Sequence, residues 1–387
     1  MDHDVVIIGA GLAGASAAAV LGRAGCRVVL VDPHASCPTW FKAEKIEPDQ
    51  ADLLRELGLM DAVMSRAHRI GRVLEAAHGR VLRAIEIEQY GVSYSDLVNA
   101  VREAVPASVE RRADRVTRIE TGPDAQRVTL AGGEVCARLV VLATGTGGRL
   151  HEMVGISKEA VGAGHSLSCG FDLALAAERP FAFDALTYFP GSSASRAAYL
   201  TVFAMADRMR ANFFLYRDAK DPWVRAFIAD PEGELRRSLP GLERVAGPLR
   251  VTGRVEVCPT YLYRAAGHRR AGVALIGDAF QSVDPVTGTG VSKALTDVAE
   301  LAALVPRWLE TPGMGADKIA QLYDAPRKAR SDARSLSAGV YLRRVGEMAP
   351  LRWQAHHWRW VARTGLSGLR QALRSGPRRL SGRVPGR

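Results

Sequence analysis

Long apolar runs are missing from this 387-residue sequence. No stretch approaches the roughly 20 consecutive apolar residues of a membrane-spanning helix, and a strand-like segment that begins at Asp4 leaves no room for a secretory signal peptide. Cysteines are few and scattered, with no Cys-x-x-Cys pair: Cys26, Cys37, Cys136, Cys169 and Cys258. An odd, dispersed set indicates neither a disulfide framework nor a zinc site. We therefore expect reduced, structural cysteines in a cytoplasmic protein.

Signatures of metal and hydrolytic chemistry are absent as well. The sequence contains no His-Glu-x-x-His, no acid-rich metal loop and no Gly-Lys-Ser/Thr phosphate loop, so we expect no metal site. Residues 164–168 approach the Gly-x-Ser-x-Gly pattern of hydrolases but lack its last glycine. These absences argue against a metalloenzyme, a nucleotide triphosphatase and a serine hydrolase.

Positive charge is concentrated at one end of the chain. The formal net charge is +11. Residues 324–387 carry fifteen Arg or Lys and three Asp or Glu, whereas the other 323 residues carry 37 basic and 38 acidic residues. The body is thus nearly neutral, and we expect no nucleic-acid partner for it.

A complete strand–helix–strand unit opens the chain. An apolar run over 4–8 leads into Gly9-x-Gly11-x-x-Gly14, and a second apolar run ends at Asp32. The first glycine permits a tight turn, the second lets backbone approach a pyrophosphate, and the third lets the helix pack closely on the strand. A carboxylate at the position of Asp32 can accept hydrogen bonds from the ribose hydroxyls of an adenosine. These features predict a dinucleotide site.

Two further apolar runs, 139–142 and 273–276, also end in glycine turns. Because they are widely separated, they predict one parallel sheet assembled from distant pieces. Between 165 and 218, short aromatic and β-branched runs alternate with turn residues, which predicts antiparallel hairpins in a separate sheet. From Val291 onward the pattern is mainly helical.

A second glycine-rich motif follows the third apolar run. Its residues are Gly277, Asp278, Pro285, Gly288, Thr289 and Gly290. An acid beside glycine at a strand end can bind a sugar-like hydroxyl. A proline-opened glycine turn at a helix N-terminus presents amide groups to an anionic edge such as that of reduced flavin. Together with the first motif, this one predicts FAD as the cofactor.

With these residues, and with Asp297 in the following helix, the chain resembles the para-hydroxybenzoate hydroxylase-like, class A flavoprotein monooxygenases over about residues 4–325. The resemblance implies an α/β fold: a Rossmann-like FAD-binding domain, a mixed or antiparallel β-sheet substrate domain and a helical C-terminal tail. We expect the FAD-binding domain at 1–75, 95–164 and 256–325, the substrate domain at 76–94 and 165–255, and a basic helical region at 326–387.

The resemblance also implies roles and a reaction. Asp32 would bind the adenosine ribose, Asp278 the ribityl chain, and the backbone of 288–290 would lie near the isoalloxazine. A flavin C4a-hydroperoxide would hydroxylate or epoxidise an aromatic or other apolar small molecule of secondary metabolism, with O2 as co-substrate. The alternative on the same scaffold is an FAD-dependent reductase or dehydrogenase. A remote alternative is a membrane-surface or nucleic-acid adaptor that uses the arginine-rich tail.

Two departures from the family pattern concern the electron donor. Thr144 stands ahead of Gly145 where the family has an acid, and Lys42 stands where it has an arginine. Lysine keeps the charge but loses bidentate phosphate geometry. We retain Lys42 as a cofactor ligand, and we expect that NADPH or NADH serves poorly or that a partner protein supplies the electrons.

Aromatic residues of the middle region are the candidates for a substrate pocket. They are Tyr188, Phe189, Phe203, Phe213, Phe214 and Tyr216. Since strand side chains alternate, half of them should face away from the site, and sheet core is the alternative for each. His165 and Tyr216 are the candidate acid–base residues, although the sequence assigns neither of them a role.

The basic tail has helical order over 348–374. Its stripe of arginines is Arg352, Arg359, Arg363, Arg370 and Arg374, and the neighbouring apolar stripe is Leu351, Trp358, Ala362, Leu369 and Leu373. Such a helix can lie on an anionic membrane, here the inner face. Because Gly365 and Gly368 weaken a free helix, we favour a helix docked on the flavin domain through its apolar stripe.

Overall fold

The computed structural model describes residues 3–176 and 179–375, without the side chains of 162–165 and 372–375. The strands are β1 (His3–Ile8), β2 (Val28–Asp32), β3 (Lys45–Ile46), β4 (His68–Ala77), β5 (Arg80–Gly91), β6 (Glu110–Ala113), β7 (Val116–Glu120), β8 (Gln126–Leu130), β9 (Gly133–Leu142), β10 (Ser157–Leu175), β11 (Ala185–Phe189), β12 (Ala197–Ala204), β13 (Met209–Leu215), β14 (Leu249–Ala266) and β15 (Val273–Leu275). The helices are α1 (Leu12–Arg23), α2 (Pro48–Glu56), α3 (Met60–Met64), α4 (Tyr94–Glu103), α5 (Arg149–Met153), α6 (Pro222–Ala229), α7 (Pro231–Ser238), α8 (Leu242–Ala246), α9 (Gly290–Leu309), α10 (Ala316–Asp324), α11 (Pro326–Gly346) and α12 (Pro350–Ser375). Single 3-10 turns occur at Ser193–Ser195, Gly277–Ala279 and Pro285–Thr287.

The first sheet joins distant pieces of the chain, as the sequence predicts. Its strand order is β6-β2-β1-β9-β8-β7, and β15 pairs in parallel with β9. The apolar runs of β1, β9 and β15 are buried, which is typical of parallel strands covered on both faces. Helix α1 packs against α4 and α9, so the glycine turns that follow β1 and β15 lie at the same, carboxyl edge of the sheet.

The second sheet is mostly antiparallel, with the order β14-β10-β13-β12-β11-β4-β5-β3. One face packs on α6, α7 and α8 around a core that includes Phe171, Phe213 and Phe227. The opposite face meets the Pro285–Thr287 turn and α11. The predicted α/β class is therefore confirmed. Strands β10 and β14 are longer than expected. They pair with each other on both sides of residues 164 and 256, where the sequence suggested domain boundaries.

The C-terminal helix α12 packs with a different face, and on a different sheet, from those expected. The predicted contact residues Leu351, Trp358 and Leu369 are 81%, 55% and 63% exposed. The buried side of α12 instead includes His357, whose Nε2 lies 2.8 Å from Nε2 of His78 in the β4–β5 turn.

A glycine explains why α12 can approach β5 so closely. A Cβ on Gly368 would lie 2.3 Å from the carbonyl oxygen of Leu82, so only glycine permits this contact. The expectation that the apolar stripe docks on the flavin domain was wrong. The surface that α12 contacts is the β4–β5 hairpin, through His78 and the backbone of β5. Over the described residues, no helix is long and apolar enough to cross a membrane.

Candidate functional site

The first glycine turn is shaped by contacts that exclude side chains. Gly9 has φ +99°, and a Cβ there would lie 2.6 Å from the carbonyl oxygen of Ala143. A Cβ on Gly14 would lie 1.8 Å from the carbonyl oxygen of Gly9. At Gly11, by contrast, a Cβ would meet only the Tyr94 hydroxyl, at 3.4 Å. The N-terminus of α1 therefore has open space in front of its second glycine.

Asp32 closes this turn from the end of β2. Its carboxylate accepts hydrogen bonds from the amides of Ala10, at 2.7 Å, and His34, at 2.8 Å. Arg102 of α4 is buried, donates to the carbonyl oxygens of the same two residues at 2.7 and 2.8 Å, and lies 3.6 Å from Asp32. Arg102 was not among the sequence-based candidates. Its place beside the buried Val98 and Val101 of α4 was the available signal.

The second glycine turn presents a carboxylate with no internal partner. Gly277 has φ +61° and directs the chain away from β15. Asp278 is half-buried, and no described group donates a hydrogen bond to its carboxylate, although Tyr263 donates to its carbonyl oxygen at 2.5 Å. Lys158 lies over the Tyr263 ring at 4.2 Å, and desolvation lowers the pKa of Lys158 to about 8 against the attraction of Asp278. Asp278 is thus available to a ligand hydroxyl.

The segment after Asp278 forms a turn and then opens α9. Asp284 caps the Pro285–Thr287 turn by accepting from the Val286 amide at 3.1 Å. Gln50 of α2 donates to the carbonyl oxygen of Gly288 at 2.7 Å. A Cβ on Gly288 or Gly290 would meet nothing within 4 Å, and Thr289 between them is the N-cap of α9. The α9 N-terminus therefore also borders open space.

Lys42 lies between the two glycine turns. Its Nζ is 5.3 Å from the centre of the Tyr94 ring and 3.9 Å from where a Cβ on Gly145 would stand. Desolvation alone would lower the pKa of Lys42, but the Tyr94 and Asp278 side chains outweigh it and raise that pKa. The structure thus brings Lys42, Gly11 and Asp278 to one cleft.

Four buried charged side chains hold the second turn in place, and of these only Asp297 was named from the sequence. They are Lys293 and Asp297 of α9 and Lys328 and Asp332 of α11, all buried. Asp297 accepts from the Gly277 amide at 2.8 Å, and Lys293 donates to the Gly277 carbonyl oxygen at 2.7 Å. Lys328 bridges the two carboxylates at 2.7 and 3.0 Å. Burial alone would raise the pKa of Asp297. The ammonium groups of Lys293 and Lys328 outweigh burial and lower that pKa, so Asp297 stays ionised.

The residues of the cleft fit FAD. Glycines border the two helix N-termini where a pyrophosphate and a ring edge would approach backbone. The Asp278 carboxylate is free to bind hydroxyls, and the buried Thr144 Oγ1 has no partner among the described residues. No cluster of three or more potential metal ligands occurs in the described ranges.

The aromatic candidates divide between the two faces of the second sheet. Tyr188 and Phe213 are fully buried in the core on α6–α8, where the Tyr188 hydroxyl donates to the Pro240 carbonyl oxygen at 2.7 Å. Phe203 packs in a separate small core with Ile70. Tyr188 and Phe213 thus lie on the face away from the cleft.

Phe189, Phe214 and Tyr199 form a connected group on the other face. The Tyr199 ring lies 5.9 Å from that of Phe189 and 5.0 Å from that of Phe214, and its hydroxyl donates to the Val286 carbonyl oxygen at 2.7 Å. Tyr199 was absent from the sequence-based candidates. It connects the aromatic face to the turn that precedes Gly288.

The structure describes the side chain of only one of the two acid–base candidates. The side chain of His165 lies outside the described residues. Tyr216 is buried against Gly346 of α11, its hydroxyl has no partner in the described part of the chain, and burial raises its pKa. A phenol with a raised pKa stays protonated at neutral pH, so Tyr216 can donate a hydrogen bond but is a poor base.

A buried ion pair joins the cleft to the second sheet. Nε of Arg210 on β13 lies 2.8 Å from Glu44, and the same guanidinium contacts Asp172 at 3.2 Å and Glu256 at 2.5 Å. Burial raises the pKa of Glu44 to about 7, against the attraction of Arg210 and with repulsion from the other two acids. Glu44 follows Lys42 closely in sequence, so this contact fixes that segment on the sheet.

Comparisons with known proteins agree with this geometry. The family described as FAD binding domain matches residues 2–334. The aklavinone 12-hydroxylase of Streptomyces peucetius is 26% identical over 370 residues, which cover 84% of this chain and 71% of the relative. The ubiquinone hydroxylase of Rhodospirillum rubrum is 28% identical over 319 residues, covering 77% and 71%. The fold is similar to that of p-nitrophenol 4-monooxygenase from Pseudomonas putida DLL-E4, with a TM-score of 0.74, 19% identity, and 95% and 94% of the two chains covered.

We predict that Lys328→Met destabilises the chain by about 3–5 kcal/mol, because it leaves Asp297 and Asp332 buried with one lysine between them. Urea unfolding of the FAD-free protein measures the change. Arg330→Met, at an exposed position of the same helix, is the control and should cost less than about 0.5 kcal/mol. Equal losses in the two variants would contradict the role given to the buried cluster.

Proposed function

The chain belongs to the FAD binding domain family, and we propose that this FAD-dependent monooxygenase hydroxylates or epoxidises an aromatic or other apolar small molecule of secondary metabolism. The observation that carries the proposal is the meeting of both glycine turns and Lys42 at one cleft, beside an aromatic sheet face. The relatives above are hydroxylases, which favours oxygen insertion over the hydride-transfer alternative.

In this proposal each part of FAD has its own ligand. The amides at the N-terminus of α1, beside Gly11, bind the pyrophosphate together with Lys42. Asp32 binds the adenosine ribose, and Asp278 binds hydroxyls of the ribityl chain. The backbone of 288–290 faces the isoalloxazine.

FAD, when bound, supplies the activation of O2 and the oxygen transfer. The chain contributes orientation and exclusion of water. Phe189, Tyr199 and Phe214 offer flat apolar surface to a substrate ring, which they bind by stacking and edge contacts. The Tyr199 hydroxyl holds the turn before Gly288 in register with this surface.

We predict that Gly11→Val abolishes FAD binding while the fold persists. A Cβ at this position would meet only the Tyr94 hydroxyl, at 3.4 Å, and the valine methyl groups would extend into the space in front of α1. We expect affinity for FAD to fall at least ~100-fold. Gly71→Val is the matched control, because a Cβ at that exposed glycine meets nothing within 4 Å and it lies outside the cleft. Full flavin content in purified Gly11→Val protein would refute the assignment.

We also propose that NAD(P)H is a poor electron donor or that a partner protein supplies the electrons. Thr144 offers no charge where the family pattern has an acid, and Lys42 cannot form the bidentate phosphate contacts of an arginine.

Anaerobic stopped-flow absorbance tests the electron donor. With NADPH we expect FAD reduction without saturation and below about 1 s⁻¹, slower than typical turnover. Dithionite needs no nucleotide site and should reduce the same sample fully. Fast, saturable reduction by NADPH would overturn the proposal.

The outward side of α12 supports a further proposal, a peripheral position at the inner face of a membrane. Leu351, Trp358, Leu366 and Leu369 are 55–81% exposed, and Arg352, Arg359, Arg363 and Arg370 are exposed beside them. Apolar side chains can enter the headgroup region, and each arginine near anionic lipid contributes about 1 kcal/mol.

Sedimentation with phosphatidylserine-containing vesicles tests the membrane proposal. The intact chain should pellet at low salt and less at high salt. Leu366→Glu should weaken vesicle binding roughly tenfold or more, since it removes an apolar contact with the lipid and adds a carboxylate that the anionic headgroups repel. Ile228→Glu, at an exposed apolar position of α6, should have no effect. Failure of the intact chain to pellet at low salt would exclude this position.

A further inference from the structure

A line of aromatic rings leads from the flavin-facing turn to the C-terminal helix. Tyr199 contacts the carbonyl oxygen of Val286 at one end, and its ring is followed by Phe189. Phe189 in turn lies 4.3 Å, centre to centre, from Trp360 of α12. Each ring contacts the next, so together they form a continuous wall.

This wall borders accessible space. Phe189, Tyr199, Phe214 and Trp360 are each partly exposed, whereas their strand neighbours Tyr188, Leu200 and Phe213 are completely buried on the other face. The partly exposed rings are therefore the ones that a ligand on this face of the sheet can contact.

Helix α12 is held in place on this side of the sheet by specific contacts. The His357 ring stacks on Trp353 at 4.7 Å and contacts His78, whose ring also stacks on Trp358 at 4.7 Å. Gly368 packs on β5 near Arg83. Both ends of α12 are thus anchored, and Trp360 lies between the anchors.

The family model matches residues 2–334, whereas α12 begins at Pro350, so the helix lies outside the matched FAD-binding segment. A change in α12 therefore alters this wall without altering a residue of that segment.

We propose that α12 closes the outer end of the substrate site and that Trp360 contacts the substrate, setting the size of the aromatic or other apolar molecule that fits between it and the Pro285–Gly288 turn. The inference rests on the proposed function for the identity of the reaction only. It assigns a specificity-determining residue to a helix that the sequence analysis treated as a basic tail.

Calorimetric titration of the FAD-loaded protein with 1-naphthol, a two-ring phenol, tests the contact. Trp360→Ala should weaken binding about tenfold, because it removes a stacking surface and leaves space unfilled. Trp360→Phe should retain binding within about threefold, since it keeps a ring at that position. Leu369→Ala, on the exposed side of the same helix, is the matched control and should leave binding unchanged.

Melting temperature and flavin content, measured on every variant, establish that the fold and cofactor are kept. If Trp360→Ala disturbs either one, Trp360→Leu replaces it, and the same loss of binding is expected. Unchanged affinity in a folded, flavin-loaded alanine or leucine variant overturns the inference, as does absence of 1-naphthol binding by the unaltered chain. If the probe binds and depends on Trp360 but no oxygen is inserted into it or any other phenol, the proposed reaction fails and the contact stands.

Discussion

Two lysines and two aspartates buried together under the Gly277 turn determine how the rest of the site is arranged. Asp297 accepts a hydrogen bond from the Gly277 amide, and Lys293 donates one to the Gly277 carbonyl oxygen. Lys328 of α11 donates to the same Asp297 carboxylate. Four charges without water are stable only if each is paired, so the turn, α9 and α11 can adopt one mutual position. Asp278 follows this anchored turn directly, and among the described residues no group donates a hydrogen bond to its carboxylate. One arrangement of the turn thus places a carboxylate that is open to a ligand next to a set of buried, paired charges.

A second ionic contact, Arg210 with Glu44, connects the cleft to the aromatic sheet. The lysine–aspartate cluster and the Arg210–Glu44 pair stabilise different parts of the site. The lysine–aspartate cluster lies under the Gly277 turn, whereas Arg210 ties the Lys42 segment to β13, three residues before the aromatic pair Phe213 and Phe214. Since Phe214 faces the cleft and Phe213 does not, the strand that holds the Lys42 segment would also supply the proposed substrate surface. In that proposal the positions of cofactor and substrate are coupled through one strand.

Sequence patterns predicted the features that depend on near neighbours. Gly9, Gly11, Gly14 and Asp32 follow local rules of a strand–turn–helix unit, and alternation correctly implied that the aromatic candidates would divide between two faces. Which of them face the cleft depends on the pairing of β13 with β10 and β12, where Phe214 lies opposite Ser168 and Tyr199, and no local pattern encodes that register. Arg102 and Lys328 were missed for a related reason: their partners, Ala10 and Asp297, are distant in sequence. The apolar neighbours of Arg102 on α4 point to its burial, but no local pattern identifies its partner.

The C-terminal helix is the case in which periodicity gave the correct stripes and the wrong orientation. Burial of apolar surface alone would place Leu351, Trp358 and Leu369 inward, yet the side that packs carries His357 and Thr364 and the small Gly368. Contacts with His78 and the β5 backbone, together with the Trp360–Phe189 pair, hold this inverted orientation. Outward apolar residues beside arginines are costly in water but suit a lipid surface. One side of α12 lies on the aromatic wall and the other is suited to lipid. If both proposals hold, only the thickness of this helix would separate an apolar substrate in the membrane from the site that oxidises it.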